Sequence, residues 1–388
     1  MKEKIVVVGG YGHVGSGICD RLGKLYPGKV YAAGRSLDKS EAYSLTTQGR
    51  VKPMKLDSRA LPDENWFREV AVVVMCLDQQ DTLFAESCLK NGIHYIDVAA
   101  SGDWFEKVER LADSAKIGGA SAILSVGLAP GLTNLLARTV AEGSRDELSI
   151  EIGIMLGLGD SHGKAAIEWT VKGLSEPFEV TERGKKTIKQ AFSEGKTAFY
   201  GSRLGRHKGY RFPFSDQVAL PRSLGASSVS TRLCFDSRMV TALVALFAPL
   251  GLRRLLQWSA FRKLFASSLE AIKMGSDVYA LSVVSFDGDQ VLRRARLSGR
   301  NESDITAAAA AATAKLVYEG AAPAGIFHSE ELFALQATGR ELWLESRPLQ
   351  SDAAKPGQQP KTKTAPLKPA KARIEAKELF VEIEQALT

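Results

Sequence analysis

VVVGGYGHVGSGICDRL, residues 6–22, joins a short apolar run to a cluster of glycines and then to a helical pattern. Gly10, Gly12 and Gly15 form G-x-G-x-x-G within it, and the motif is informative because a strand-like segment precedes it and a helix-like one follows. Gly10 permits a tight turn, Gly12 leaves its side-chain space to a pyrophosphate, and Gly15 lets helix and strand pack closely. Loop N–H groups and the positive end of the helix then face phosphates, so Tyr11, His13 and Val14 count with the glycines as cofactor contacts. The competing reading is a glycine-rich turn that binds nothing.

Outward from that loop, short β-branched runs alternate with helical patterns through about residue 130, as in a parallel sheet covered on both faces. Strands are expected at KIVVVGG, KVYAAGR, VKPMKLD, AVVVMCL, HYIDVAA and SAILSVG. Helices are expected over Gly15–Leu25, Ser40–Gln48, Asp81–Asn91 and Trp104–Gly118. The pattern then changes: ELSIEIGIMLGL, YALSVVSFDG and QVLRRARLSG alternate as antiparallel strands do, and DITAAAAAATAKLVY reads as a strong helix closed by Gly320 and Pro323. The fold class is therefore α/β, a Rossmann-type doubly wound parallel sheet with a second α+β substrate and dimerisation domain. The expected divisions are a dinucleotide-binding domain over 1–130, the α+β domain over 131–325, a return segment over 326–346, a flexible basic linker over 347–372 and a C-terminal helix over 373–388.

At 388 residues, 45% hydrophobic and 24% charged, the chain can build two cores. The net charge of +7 gives little case for nucleic acid, because Arg347, Lys355, Lys361, Lys363, Lys368, Lys371 and Arg373 crowd one stretch that holds a single acid, Asp352. Cys19, Cys76, Cys88 and Cys234 lie far apart with no C-x-x-C pair, so neither a disulfide framework nor a metal site is expected. A reduced, cytoplasmic protein fits, and Met1–Lys4 leave no room for a signal peptide before the first strand. The longest apolar run, Met239–Leu252, is shorter than the roughly 20 residues that cross a bilayer and contains Pro249 and Gly251. No integral membrane segment is expected, although this apolar and basic stretch leaves peripheral membrane contact open.

The end of the second strand points to the cofactor. Where an NAD-binding domain usually carries an acid for the ribose 2′-hydroxyl, this chain has Gly34, Arg35 and Ser36. A guanidinium and a hydroxyl suit a 2′-phosphate, so NADP(H) is expected; a solvated loop arginine is the alternative. Asp57, closing the third strand, stands where many such folds meet the adenine edge, or is an acidic turn residue. Leu77 and Asp78 follow the fourth strand, where the nicotinamide end would pass.

With these residues in place the chain resembles the saccharopine dehydrogenase-like NADP(H)-dependent oxidoreductases. The resemblance rests on GGYGHVG, on AGRS after the second strand, on CLKNGIHYIDVA and on SVGLAPGLTNLLA, with GIFHSEELF as a looser match. It covers about the first 140 residues well. It implies an NADP(H)-binding domain, an inserted α+β domain with substrate contacts and much of a homodimer interface, and a helix returning to the first domain. Better-known members reduce an imine formed from an amine and an aldehyde or keto acid; other relatives act on different, including lipid-linked, substrates.

For hydride transfer the protein must supply position, a proton and a grip on substrate. His162, in GLGDSHGKAAIEWT, follows a strand-like run with Asp160 before it, and reads either as a general acid or as a turn residue. Tyr95 and Asp97 share one strand face by their i, i+2 spacing. They stand beside the nicotinamide, or are a packed tyrosine and a loop-capping aspartate. In YRFPFSDQVALPRSLG, Arg211, Asp216, Gln217 and Arg222 cluster in a proline-stiffened segment, and Arg222 heads the candidates for a substrate carboxylate. Cys76 reads as a strand cysteine rather than a nucleophile. The expected activity is hydride exchange with an amino-acid-derived imine, secondary amine or related carbonyl. Two rivals stand beside it: reduction of a lipid-like small molecule at a membrane surface, and NADP(H) sensing without turnover.

Overall fold

A computed structural model describes residues 2–144, 147–160, 164–258, 261–262, 275–338, 341–347 and 370–385. All six apolar runs of the first domain become strands: β1 (Lys4–Val8), β2 (Val30–Gly34), β3 (Val51–Lys55), β4 (Val70–Met75), β5 (His94–Asp97) and β6 (Ser121–Leu124). The central residues of β1, β2, β4, β5 and β6 are fully buried because helices cover both faces, whereas the edge strand β3 buries only Val51. The helices are α1 (His13–Leu25), α2 (Leu37–Thr46), α3 (Glu64–Glu69), α4 (Leu83–Lys90), α5 (Gly102–Glu109) and α6 (Ala112–Gly118). The single helix expected over Trp104–Gly118 is thus two, broken at Arg110–Leu111. The break lets Phe105 and Val108 on one piece and Ala115 on the other reach the same core.

The second domain opens with α7 (Thr133–Ala141), β7 (Leu148–Leu156) and α8 (Lys164–Ser175), followed by the hairpin β8 (Pro177–Glu182) and β9 (Lys185–Gln190). Then come β10 (Lys196–Phe199), β11 (Arg206–Arg211), α9 (Asp216–Leu224), β12 (Ser228–Phe235), α10 (Arg238–Phe247), α11 (Arg253–Leu256), β13 (Val278–Asp287) and β14 (Gln290–Arg300). Ile150, Ile152 and Ile154 of β7 face the core, so the residues between them face the other side of the sheet. The chain then returns through α12 (Glu302–Tyr318), β15 (Gly325–His328), α13 (Ser329–Leu332), β16 (Phe333–Thr338) and β17 (Glu341–Ser346), and ends with β18 (Lys371–Ile374) and β19 (Phe380–Gln385).

The first sheet runs β15-β6-β5-β4-β1-β2-β3, every pair parallel, with the strand order reversing between β1 and β4. Ligands of such sheets lie at that switch point, beyond the carboxyl ends of the strands. The second sheet, β10-β11-β12-β7-β13-β14-β19, is antiparallel except for the β12–β7 pair.

Two expected divisions shift. The return begins at α12, not at residue 326, because α12 packs on α1 and on β4 and β5. Its alanines make this possible: Ala307–Ala312 and Ala314 are all buried, and a Cβ built on Gly17 of α1 would lie 2.9 Å from the Cβ of Ala307. Two backbones this close tolerate no larger side chain between them. The second shift is at the end of the chain, where strands β18 and β19 replace the expected helix over 373–388. β19 pairs with the open edge of β14, and Arg296 there binds Glu382 at 2.7 Å and Glu384 at 3.0 Å, two acids that only a strand places on one face. Of the linker expected over 347–372, residues 348–369 lie outside the described residues. Its end is ordered, with Ala370 N–H donating to Ser346 Oγ at 2.9 Å.

Candidate functional site

The glycine loop leaves β1 with Gly9 at φ +83°, a left-handed turn that glycine adopts freely. Gly9, rather than Gly10, therefore makes the turn. Gly10 is held for space: an added Cβ would lie 2.7 Å from both Ala32 Cα and Val7 O. At Gly15 the added atom would meet Gly9 O at 2.2 Å. Gly12 caps α1 with no side-chain hydrogen bond, and no acid stands in the first turn. The positive end of the helix thus stands without a side-chain cap or a first-turn carboxylate, a fit for a pyrophosphate.

Tyr11 reaches from this loop to the end of β2, where its hydroxyl accepts from Ser36 N–H at 3.3 Å. Its ring lies so close to Gly34 that a Cβ there would be 2.4 Å from the Tyr11 oxygen. Beside it Arg35 is exposed, and no hydrogen bond or ion pair engages it among the described residues. Ser36 Oγ caps α2 by accepting from Lys39 N–H at 3.3 Å. Asp57 binds Arg59 through Nε at 3.0 Å and Nη2 at 2.7 Å, and these bonds hold its carboxyl down at about 2. Sequence reasoning missed Arg59, the partner that claims Asp57; the signal was LDSRA directly after β3. Leu77 is 43% exposed and lies over Gly9, walling the groove. Val14 packs into the core, and His13 Nε2 meets Ser303 Oγ at 2.9 Å, joining the loop to α12.

The family description that matches this stretch is the saccharopine dehydrogenase NADP binding domain, over residues 5–123. The first domain belongs to that family. Over 84% of the chain the structure is similar to 94% of apo histidine-tagged saccharopine dehydrogenase (L-Glu forming) from Saccharomyces cerevisiae, at 14% identity and a TM-score of 0.58. That likeness is one of fold, and it includes the second domain. Dipicolinate-bound dihydrodipicolinate reductase from Paenisporosarcina sp. TG-14 matches at 11% identity over 84% of this chain and 98% of its own, with a TM-score of 0.40. No curated protein sequence matches the chain.

The expected substrate residues fare differently from the loop. Tyr95 and Asp97 do meet, the hydroxyl donating to Asp97 Oδ2 at 3.0 Å, but both are fully buried. Asp97 also accepts from Trp104 Nε1 at 2.7 Å and from Ala99 N–H at 2.8 Å. Burial pushes its carboxyl up to about 6. This is the loop-capping arrangement, and it takes the pair out of contact with substrate.

Arg222 is likewise committed, binding Glu109 through Nη1 at 2.6 Å and Nη2 at 2.9 Å. Glu109 also binds His328 Nε2 at 2.9 Å, so this cluster clamps α5 to α9 and β15. Arg211, 4% exposed, pairs with Glu182 and with Glu194 at 3.1 Å. Asp216 is fully buried, accepts from Thr231 Oγ1 at 2.7 Å, and is pushed by burial up to about 7. Gln217 bonds Thr231 N–H at 3.0 Å and Phe212 O at 2.8 Å. The segment expected to grip a carboxylate is thus internal scaffolding. Cys76 is held as a thiol, burial pushing it up to about 12.

His162 lies outside the described residues. Its neighbour Asp160 accepts from Glu302 N–H at 2.6 Å, at the start of α12. Beyond the end of β4, Asp78 is raised from its ordinary value by loss of hydration and then by the charge of Glu168 on α8, while Lys172 pulls it back. Trp169, next to Glu168, turns inward onto Phe212 and Phe214 with ring centres 5.4 and 5.1 Å away. Asp78 was expected from sequence beside the nicotinamide end; Lys172 of α8 is the group that sequence reasoning passed over. The two belong to different domains, and only the folded chain brings their charges within influence of each other.

Proposed function

We propose that the protein is an NADP(H)-dependent oxidoreductase that exchanges a hydride with an imine, secondary amine or related carbonyl compound. The observation that carries the cofactor reading is Arg35: an exposed, unengaged guanidinium ending β2 where an acid for a ribose hydroxyl would otherwise stand. Gly9–Gly15 and the uncapped start of α1 would hold the pyrophosphate, and Arg35 and Ser36 the 2′-phosphate end. When bound, the nicotinamide supplies the hydride. The protein's part is then to hold a proton and a cation near the reacting carbon. A carboxyl raised by poor hydration and a nearby acid holds a proton closer to neutral pH, which supports Asp78 as the acid and Lys172 as its charged neighbour.

Fluorescence titration with NADPH and NADH, then a panel of amine plus keto-acid pairs followed by loss of NADPH absorbance, tests both parts. Tighter NADPH binding and turnover on one pair, lost in Asp78→Asn with NADPH binding intact, is expected. Equal affinity for the two cofactors would remove the 2′-phosphate reading. Tight binding with no turnover on any pair would remove the substrate class. The exposed apolar face of α10 favours a second reading, in which the carbonyl compound is lipid-like; an apolar carbonyl in the same assay decides it.

A further inference from the structure

The helical run Arg238–Leu256 has 19 residues, a mean hydropathy of 1.6 and 17% of its length buried; by length and composition alone it could cross a membrane. Expected from sequence to be too short, it gains its length from the flanks of the apolar run. It does not run free, however. Thr241, Ala248 and Leu256 are buried, and their side of the run is fastened to β11, β12 and α8. Gly251, at φ +127°, bends it between α10 and α11. The opposite side is also apolar: Met239 is 65% exposed, Leu243 44%, Leu246 56%, Phe247 51%, Leu250 70% and, just beyond α11, Trp258 68%. The α10 positions among these recur at helical spacing and form one outward stripe. A contiguous apolar patch of this kind marks an interaction site.

Charge decides what covers it. From Ser237 to Arg262 the sequence contains no Asp or Glu and four arginines, Arg238, Arg253, Arg254 and Arg262. Arg253 turns inward to Ala191 O, but Arg238 and Arg254 are exposed, and a second copy docked by the same face in a two-fold pair would set those cations against their own images. An anionic lipid surface complements them, takes up the apolar stripe, and suits a tryptophan at the boundary. We propose that the outward face of α10 and α11 seats the protein on an anionic lipid surface, lying in the interface rather than spanning it. Because α11 packs on α8, the seated face borders the wall of the cleft.

Flotation of the full-length protein with vesicles of phosphatidylcholine and phosphatidylglycerol, against phosphatidylcholine alone, tests this. The protein should float with the anionic vesicles. Leu246→Asp/Leu250→Asp should remain in the soluble fraction with its NADPH affinity and melting temperature unchanged. Arg254→Gln, which alters no buried group, should lower partition into anionic vesicles roughly fivefold. Absence of flotation, or equal flotation of wild type and both variants, would overturn the proposal. So would a wild-type dimer by light scattering that ignores vesicles and that the double variant converts to monomer, since the face would then cover a second copy.

Discussion

The glycine loop and the segment Arg211–Arg222 are both rich in polar groups that sequence reasoning assigned to ligands, and the folded chain treats them oppositely. In the loop and the adjoining end of β2, the start of α1 carries no side-chain cap and Arg35 is unengaged. In the second segment Arg211, Asp216, Gln217 and Arg222 all have partners inside the protein. A polar residue is a credible ligand contact when its hydrogen-bonding capacity is left over after folding. The second segment has little to spare.

Substitutions should separate the two regions by what they disturb. The largest effect is expected for Arg211→Met, which takes a buried guanidinium and its hydrogen bonds from Glu182, Glu194 and Gln217 and leaves the two acids to Lys189: a loss of about 3 kcal/mol in urea unfolding, with NADPH affinity of the folded protein unchanged. A shift in NADPH affinity instead would return Arg211 to the site. Gly15→Ala should cost about 3 kcal/mol or more, because the new methyl meets Gly9 O, and NADPH binding should fail with it. A stable Gly15→Ala protein that binds normally would contradict the loop geometry.

A pH series addresses Asp216. Its carboxyl is raised in the folded state from 3.8 to about 7, so folding favours the protonated form. Its stabilising contribution is complete below its unfolded value and is lost as pH rises through about 7. Wild type should therefore lose melting temperature between roughly pH 4 and pH 7, and Asp216→Asn should lose less over that range. Parallel curves would mean that Asp216 is not held protonated. The smallest effect belongs to Arg222→Ala, a half-exposed ion pair worth about 1 kcal/mol or less, with no change in substrate KM.

How much of this was legible follows from what kind of signal each part carries. β1–β6 and α1 could be read because a buried parallel strand is an apolar run and a dinucleotide loop needs glycine at fixed offsets. The partners of Arg211 and Arg222 could not: Glu109 lies 113 residues from Arg222, and no local pattern announces so distant a pair. The same holds for Asp78 and Lys172, whose charges act on each other from different domains. β19 is a different failure, because FVEIEQ does alternate, Val381 and Ile383 against Glu382 and Glu384, but the alternation was read as an amphipathic helix. The open edge of β14 decided between them by offering a strand its hydrogen bonds.

The account turns on Arg35, since the leftover guanidinium is what distinguishes the cofactor edge from the scaffolding. Fluorescence titration of wild type and Arg35→Ala with NADPH and NADH is the direct measurement. The account predicts that NADPH affinity falls on the order of tenfold or more, the loss of a charge-assisted contact, while NADH affinity stays the same. Equal losses for both cofactors, or none for either, would contradict it.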